Sequence, residues 1–93
     1  MIVGVMRIEL TIFEAQSLKD KRRVILSLKQ RMRNRFNVSL AEVDYVNVAK
    51  RCCLAVAVVS PDARSVHSQL DKIIDFVRRA VGVSLVTYER ELY

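Results

Sequence analysis

The chain has 93 residues, 52% apolar and 28% charged, and a formal net charge of +6. That length and balance describe one globular domain, residues 1–93, and exclude a disordered chain. Two adjacent cysteines exclude a disulfide framework, and the longest apolar run, the eight residues CCLAVAVV, is too short to cross a bilayer.

The opening MIVGVMRIELTIF alternates from Gly4 onward. Met6, Ile8, Leu10 and Ile12 share one face, and Arg7, Glu9 and Thr11 share the other, which predicts a strand with one dry side. Arg7 arrives too early for the apolar segment of a secretory leader. Ser17 then suits an N-cap, and Asp20 three residues on completes a variant of the capping box. Leu18, Val24, Ile25, Leu28, Met32 and Phe36 fall within one helical arc, so a helix is expected to end near Arg35. Asn37 opens NVSLAEVDYVN, a valine-rich strand pattern. RCCLAVAVVS is a third, nearly all-apolar strand, which implies a central position. Its two thiols point to opposite faces and are expected to stay reduced, as in a cytoplasmic protein.

Ser60 is the expected N-cap of a second helix, with Pro61 at its first position and Asp62 in its first turn. Val66, Leu70, Ile73 and Val77 mark its buried stripe, and Gly82 suits its C-terminal cap. VSLVTYERELY closes the chain as a last strand. The order β-α-β-β-α-β predicts a ferredoxin-like α+β sandwich, a four-stranded antiparallel sheet with two helices on one face.

Three stretches also resemble a known family: MIVGV at the start, SLKDKRR at Ser17 and RFNVSLAEVD at Arg35. They look like the small bacterial YlxP-type proteins, whose function is unknown, and the likeness covers essentially the whole chain. The resemblance implies the same ferredoxin-like fold and no established activity. Genes of this type often lie beside those for translation initiation and ribosome maturation, which implies a link to ribosomes or RNA. It carries over no catalytic residues.

Charge is concentrated in one element. Lys19 to Arg35 holds eight basic residues against Asp20 alone, or +7, while the remainder holds eight basic and nine acidic residues, or −1. With Leu18 at 0° and 100° per residue, Lys19, Arg22, Lys29 and Arg33 occupy about 20–100°, and Arg31 and Arg35 lie on the opposite flank. Lys21 falls at about 300°, within the apolar arc. It reads either as a lysine snorkelling from the core or as part of an anion site at the helix start with Lys19, Arg22 and Arg23. Basic residues beside an apolar stripe can simply lay their stems over the core. That account does not explain a bias of eight to one, since alternating signs would give better i,i+4 pairs.

The candidate nucleic-acid contacts are therefore Lys19, Lys21, Arg22, Arg23, Lys29 and Arg33. The expected function is non-catalytic binding of RNA or the ribosome; the alternative is a protein-interaction module that docks an acidic partner on this helix or a partner on the open sheet. The open sheet face is expected to show Val3, Val5, Val38, Leu40 and Leu85 at one end and Glu9, Glu42, Asp44, Glu89 and Glu91 at the other. The apolar end suits a homodimer, and the acidic end repels phosphate. Neither an aromatic platform nor the RGFGFV signature of RNA-recognition motifs is present. Acylphosphatases share the topology, but the glycine-rich phosphate loop is missing between Phe13 and Ser17. His67 is the only histidine and reads as a residue at the edge of the core. No cofactor, metal or membrane partner is expected.

Overall fold

A computed structural model describes residues 1–93. The elements are β1 (Ile2–Thr11), α1 (Leu18–Arg35), β2 (Ser39–Asp44), β3 (Arg51–Ser60), α2 (Ala63–Arg79) and β4 (Ser84–Leu92). The strands form one antiparallel sheet in the order β2-β3-β1-β4. Each helix crosses from one strand to a parallel one over the strand between, which places both on one face. The result is the ferredoxin-like sandwich expected from the order of elements.

The core lies between sheet and helices. Met6, Ile8 and Leu10 of β1 pair with Val56, Leu54 and Cys52 of β3, and all six are buried. Ile25, Leu28 and Met32 come down from α1, and Val66, Leu70, Ile73 and Val77 from α2. Gly4 lies on this inner face. A Cβ there would meet Val66 Cγ1 at 2.2 Å, so α2 can sit this close to β1 only over a glycine.

Ser17 caps α1 as expected: its hydroxyl accepts from Asp20 N–H at 3.1 Å, and Asp20 accepts from Gln16 N–H at 3.1 Å. At α2 the cap is Asp62, not Ser60; its carboxylate accepts from Ser65 N–H at 2.8 Å. Proline at 61 keeps the chain extended before the helix, and Ser60 stays at the end of β3, donating from Oγ to Ser65 Oγ. Ala80 is the C-terminal cap of α2, and Gly82 takes its positive φ of 90° in the loop beyond.

The face assignment of both edge strands differs from the alternation expected. An extra residue, Val43, lies between Glu42, opposite Leu54, and Asp44, opposite Cys53. Leu40 and Glu42 therefore face the helices, while Asp44 faces away. In β4 an extra Val86 lies between Leu85, opposite Leu10, and Thr87, opposite Glu9. Leu85 thus joins the core side, while Thr87, Glu89 and Glu91 stay on the open face. Val38 also packs against the core. Of the five aliphatic residues expected on the open face, Val3 and Val5 remain, with Ala41, Ala55, Ala57 and Val59 beside them.

The inward turn of Glu42 gives Lys21 its partner. Lys21 is 1% exposed, and its Nζ lies 2.7 Å from Glu42 Oε2. The contact is an ion pair rather than an aligned hydrogen bond, since Oε2 accepts none. Nζ donates instead to the carbonyls of Tyr45 at 2.5 Å and Val46 at 3.4 Å. Breaking a buried pair leaves a charge without compensation. Lys21→Met is expected to cost about 3 kcal/mol in urea unfolding, and Glu42→Leu added to it should recover most of the loss. Equal stability of the single variant and the unaltered chain would show that the pair does not hold α1 to β2.

Candidate nucleic-acid interface

Four ion pairs form in the molecule: Arg7–Asp44 at 3.1 Å, Lys21–Glu42 at 2.7 Å, Arg78–Asp75 at 3.7 Å and Arg90–Asp71 at 2.9 Å. The seven cations of α1 other than Lys21 take part in none of them. Lys19, Arg22 and Arg23 are exposed near the helix start, and Lys29 is half-buried further along. Arg33 is exposed but partly engaged, since its guanidinium donates to the Leu40 carbonyl on edge strand β2 at 3.1 Å. Lys21 does not belong with them. The capped first turn aims it inward to Glu42, so it is no part of a surface anion site.

The opposite flank of α1 forms a site that the sequence reading passed over. Arg31 and Arg35 face α2 across a groove of about 680 Å³, with Lys72 and Arg79 on the far side. Asp75 is the one carboxylate in its lining, and it is paired with Arg78. Phe36 and Phe76 meet edge to face, ring centres 5.7 Å apart. The Arg35 guanidinium sits 5.9 Å and 5.7 Å from these two rings. The signal for the groove was present as spacing: Arg31 and Arg35 are four apart, and Lys72 and Arg79 seven apart, each pair on one helical face.

The open sheet face carries the opposite balance. Glu9, Asp44, Glu89 and Glu91 lie there against Arg7 and Arg51. Two aromatic residues are present after all, Tyr45 and Tyr93, the latter paired with Val3 just beyond the end of β4. Tyr45, with a positive φ of 58°, turns onto this face, where Arg51 stacks 3.9 Å from its ring centre. Its hydroxyl reaches Glu9 Oε1 at 3.5 Å, so the ring lies across β3 above Cys53, which is fully buried. His67 is exposed on α2, where its Nδ1 lies 3.3 Å from Arg90 Nη1, rather than at the core edge.

Both cysteines are free and buried. Burial pushes the Cys53 thiol up from its ordinary value, and it pushes Cys52 further, to about 12, helped by the neighbouring Glu42 carboxylate. Well below its ordinary value of about 8.5 the Cys52 thiol is protonated in both folded and unfolded chains, so it adds no pH dependence there. From that value to about pH 12 the unfolded chain gives up a proton that the folded chain keeps, so stability falls. Replacing Cys52 with alanine should flatten this alkaline limb in urea titrations from pH 8 to pH 11. An unchanged slope would mean that other groups set it.

No helix is long and apolar enough to cross a membrane. Fold and surface define a small ferredoxin-like α+β domain with a cationic helix layer and an acid-rich sheet. The chain belongs to the family described as Protein of unknown function (DUF503), which it matches over residues 3–90. It is 32% identical over 76 residues to the uncharacterized protein YlxP of Bacillus subtilis (strain 168), with 82% of this chain and 83% of that protein aligned. The resemblance to the YlxP-type family therefore holds over most of the chain.

Proposed function

We propose that the protein binds RNA, free or in the ribosome, through its helix layer and without catalysis. The observation that carries this reading is the set of seven cations on α1 that have no carboxylate partner. An ordinary solvated helix interleaves signs, because i,i+4 pairs stabilise it. A helix layer this positive, on a molecule whose other face is acid-rich, attracts and orients a polyanion. At about 1.5 Å per residue, α1 is roughly 27 Å long and spans several phosphates. If about five phosphates of a single strand are neutralised, log K should fall against log salt with a slope near −3.5.

The test is binding of a labelled single-stranded RNA across a salt series, with ribosome co-sedimentation as a second measurement. Lys19, Arg22 and Lys29 are changed together to glutamate. This takes the net charge from +6 to zero and leaves the Arg33–Leu40 contact intact. Reversal places three repelling charges on the helix layer, so binding should fall at least tenfold in a folded protein, whichever cations of the layer make the direct contacts. Unchanged binding by both measurements overturns the proposal. Retention of a protein partner after nuclease treatment, with no RNA bound by the purified chain, would assign the cationic layer to an acidic protein instead.

A second reading concerns the sheet, and one observation favours it. Val3, Val5, Ala41, Ala55, Ala57 and Val59 form a flat apolar area on a face that no element of the chain covers. We infer that two copies pair through it, antiparallel, with Glu89 and Glu91 held apart and both helix layers outward. Small side chains let two sheets approach closely, although the area is smaller than five large aliphatics would supply. Val5→Glu should convert a dimer to a folded monomer in sedimentation at micromolar concentration. An unaltered chain that is already monomeric there overturns this reading.

A further inference from the structure

We propose that the groove between α1 and α2 is a specific pocket for a nucleotide phosphate, and that it, rather than the exposed flank of α1, sets the affinity for RNA. The inference rests on the RNA reading above and narrows it to Arg31, Arg35, Lys72 and Arg79. These residues come from two helices and converge on one space, whereas Lys19, Arg22 and Lys29 spread along the surface of a single helix. A concave site lets several donors reach the same phosphate. Its volume of about 680 Å³ falls within the range of small-ligand sites.

The chemistry of the lining is selective. Four cations outnumber the one carboxylate, Asp75, which also has Arg78 at 3.7 Å. Arg35 is the key residue. Its position near the Phe36 and Phe76 rings limits the orientations of its guanidinium before any ligand arrives. A planar guanidinium can hold two phosphate oxygens at once, and its flat face can stack on a base. Gln69, also in the lining, turns its amide nitrogen to Ser60 and Ser65 at 3.4 Å and leaves its carbonyl oxygen to accept from a base edge or ribose. The shared ligand chemistry is a phosphate with a base attached. A phosphodiester within an RNA strand and the terminal phosphates of a free nucleotide both provide it.

The experiment compares two neutralised variants of the full chain. One carries Arg35→Gln, Lys72→Gln and Arg79→Gln in the groove; the other carries Lys19→Gln, Arg22→Gln and Lys29→Gln on the exposed flank. Each removes three charges from side chains that pack little in the core, and circular dichroism confirms folding. Both are titrated with a labelled oligouridylate of eight nucleotides and, separately, with adenosine triphosphate. The groove variant should lose at least tenfold in oligonucleotide binding, and its salt slope should fall by about 2 if three phosphate contacts go. The flank variant should lose less than threefold. Arg35→Lys, which keeps the charge without the planar fork, should lose severalfold.

If the flank variant loses as much as the groove variant, the groove proposal is overturned while RNA binding stands. If the unaltered chain binds the triphosphate but not the oligonucleotide, and the groove variant abolishes that binding, the groove stands with a free nucleotide as its ligand and the RNA reading fails. Absence of both kinds of binding overturns both.

Discussion

Lys21 reaches Glu42 across the boundary between helix and sheet, where water reaches the ammonium hardly at all and the carboxylate only in part. The contact ties the first turn of α1 to the middle of β2 and so fixes the rotation of the helix about its own axis. Every other cation of α1 then takes its direction from that rotation. A twist of one residue, about 100°, would carry Lys21 toward solvent and bring another side chain inward. The two carbonyls that also receive Nζ, from Tyr45 and Val46, extend the same anchor to the turn after β2. That turn carries Tyr45 onto the opposite face of the sheet. One buried charge thus sets features on both sides of the molecule.

The arrangement separates charge by layer. The helices carry an excess of cations, the open sheet carries four carboxylates against Arg7 and Arg51, and the apolar core lies between them. Little neutralisation of α1 occurs, because Asp20 and Asp62 serve the helix starts, Asp71 and Asp75 pair with Arg90 and Arg78, and Glu9, Asp44, Glu89 and Glu91 lie on the other side of the sheet. Glu42 is the one carboxylate of β2 that crosses to the helix side, and Lys21 takes it. The remaining seven cations therefore have no carboxylate partner from their own chain, and the field they produce is available to a ligand.

Much of the fold was legible in the sequence. The order of elements, the Ser17 cap and the buried stripes of both helices follow from periodicity and local chemistry, and the coordinates agree with them. What escaped was the consequence of single extra residues. Val43 and Val86 each look like another position in an alternating strand, yet each is a bulge that moves the residues on one side of it to the other face. Whether a valine continues a strand or bulges from it depends on the register of the neighbouring strand, which is a long-range property. Leu40, Glu42 and Leu85 were misplaced for this reason. The candidate site was legible as an excess of charge on α1 but not as a groove. Arg31 and Arg35 lie on the flank that faces α2, and Lys72 and Arg79 become their neighbours only when the two helices are laid side by side.

The same two bulges also occupy the two free edges of the sheet, β2 on one side and β4 on the other. A regular outer strand offers a row of unused N–H and C=O groups, onto which another chain can zip. Here each row is interrupted toward one end, and on β2 the Leu40 carbonyl is already taken by Arg33. Strand-by-strand growth into a continuous ribbon is thereby discouraged at both ends. A chain that is half apolar, and that leaves one whole sheet face uncovered, has more than usual need of such interruptions to remain dispersed at high concentration.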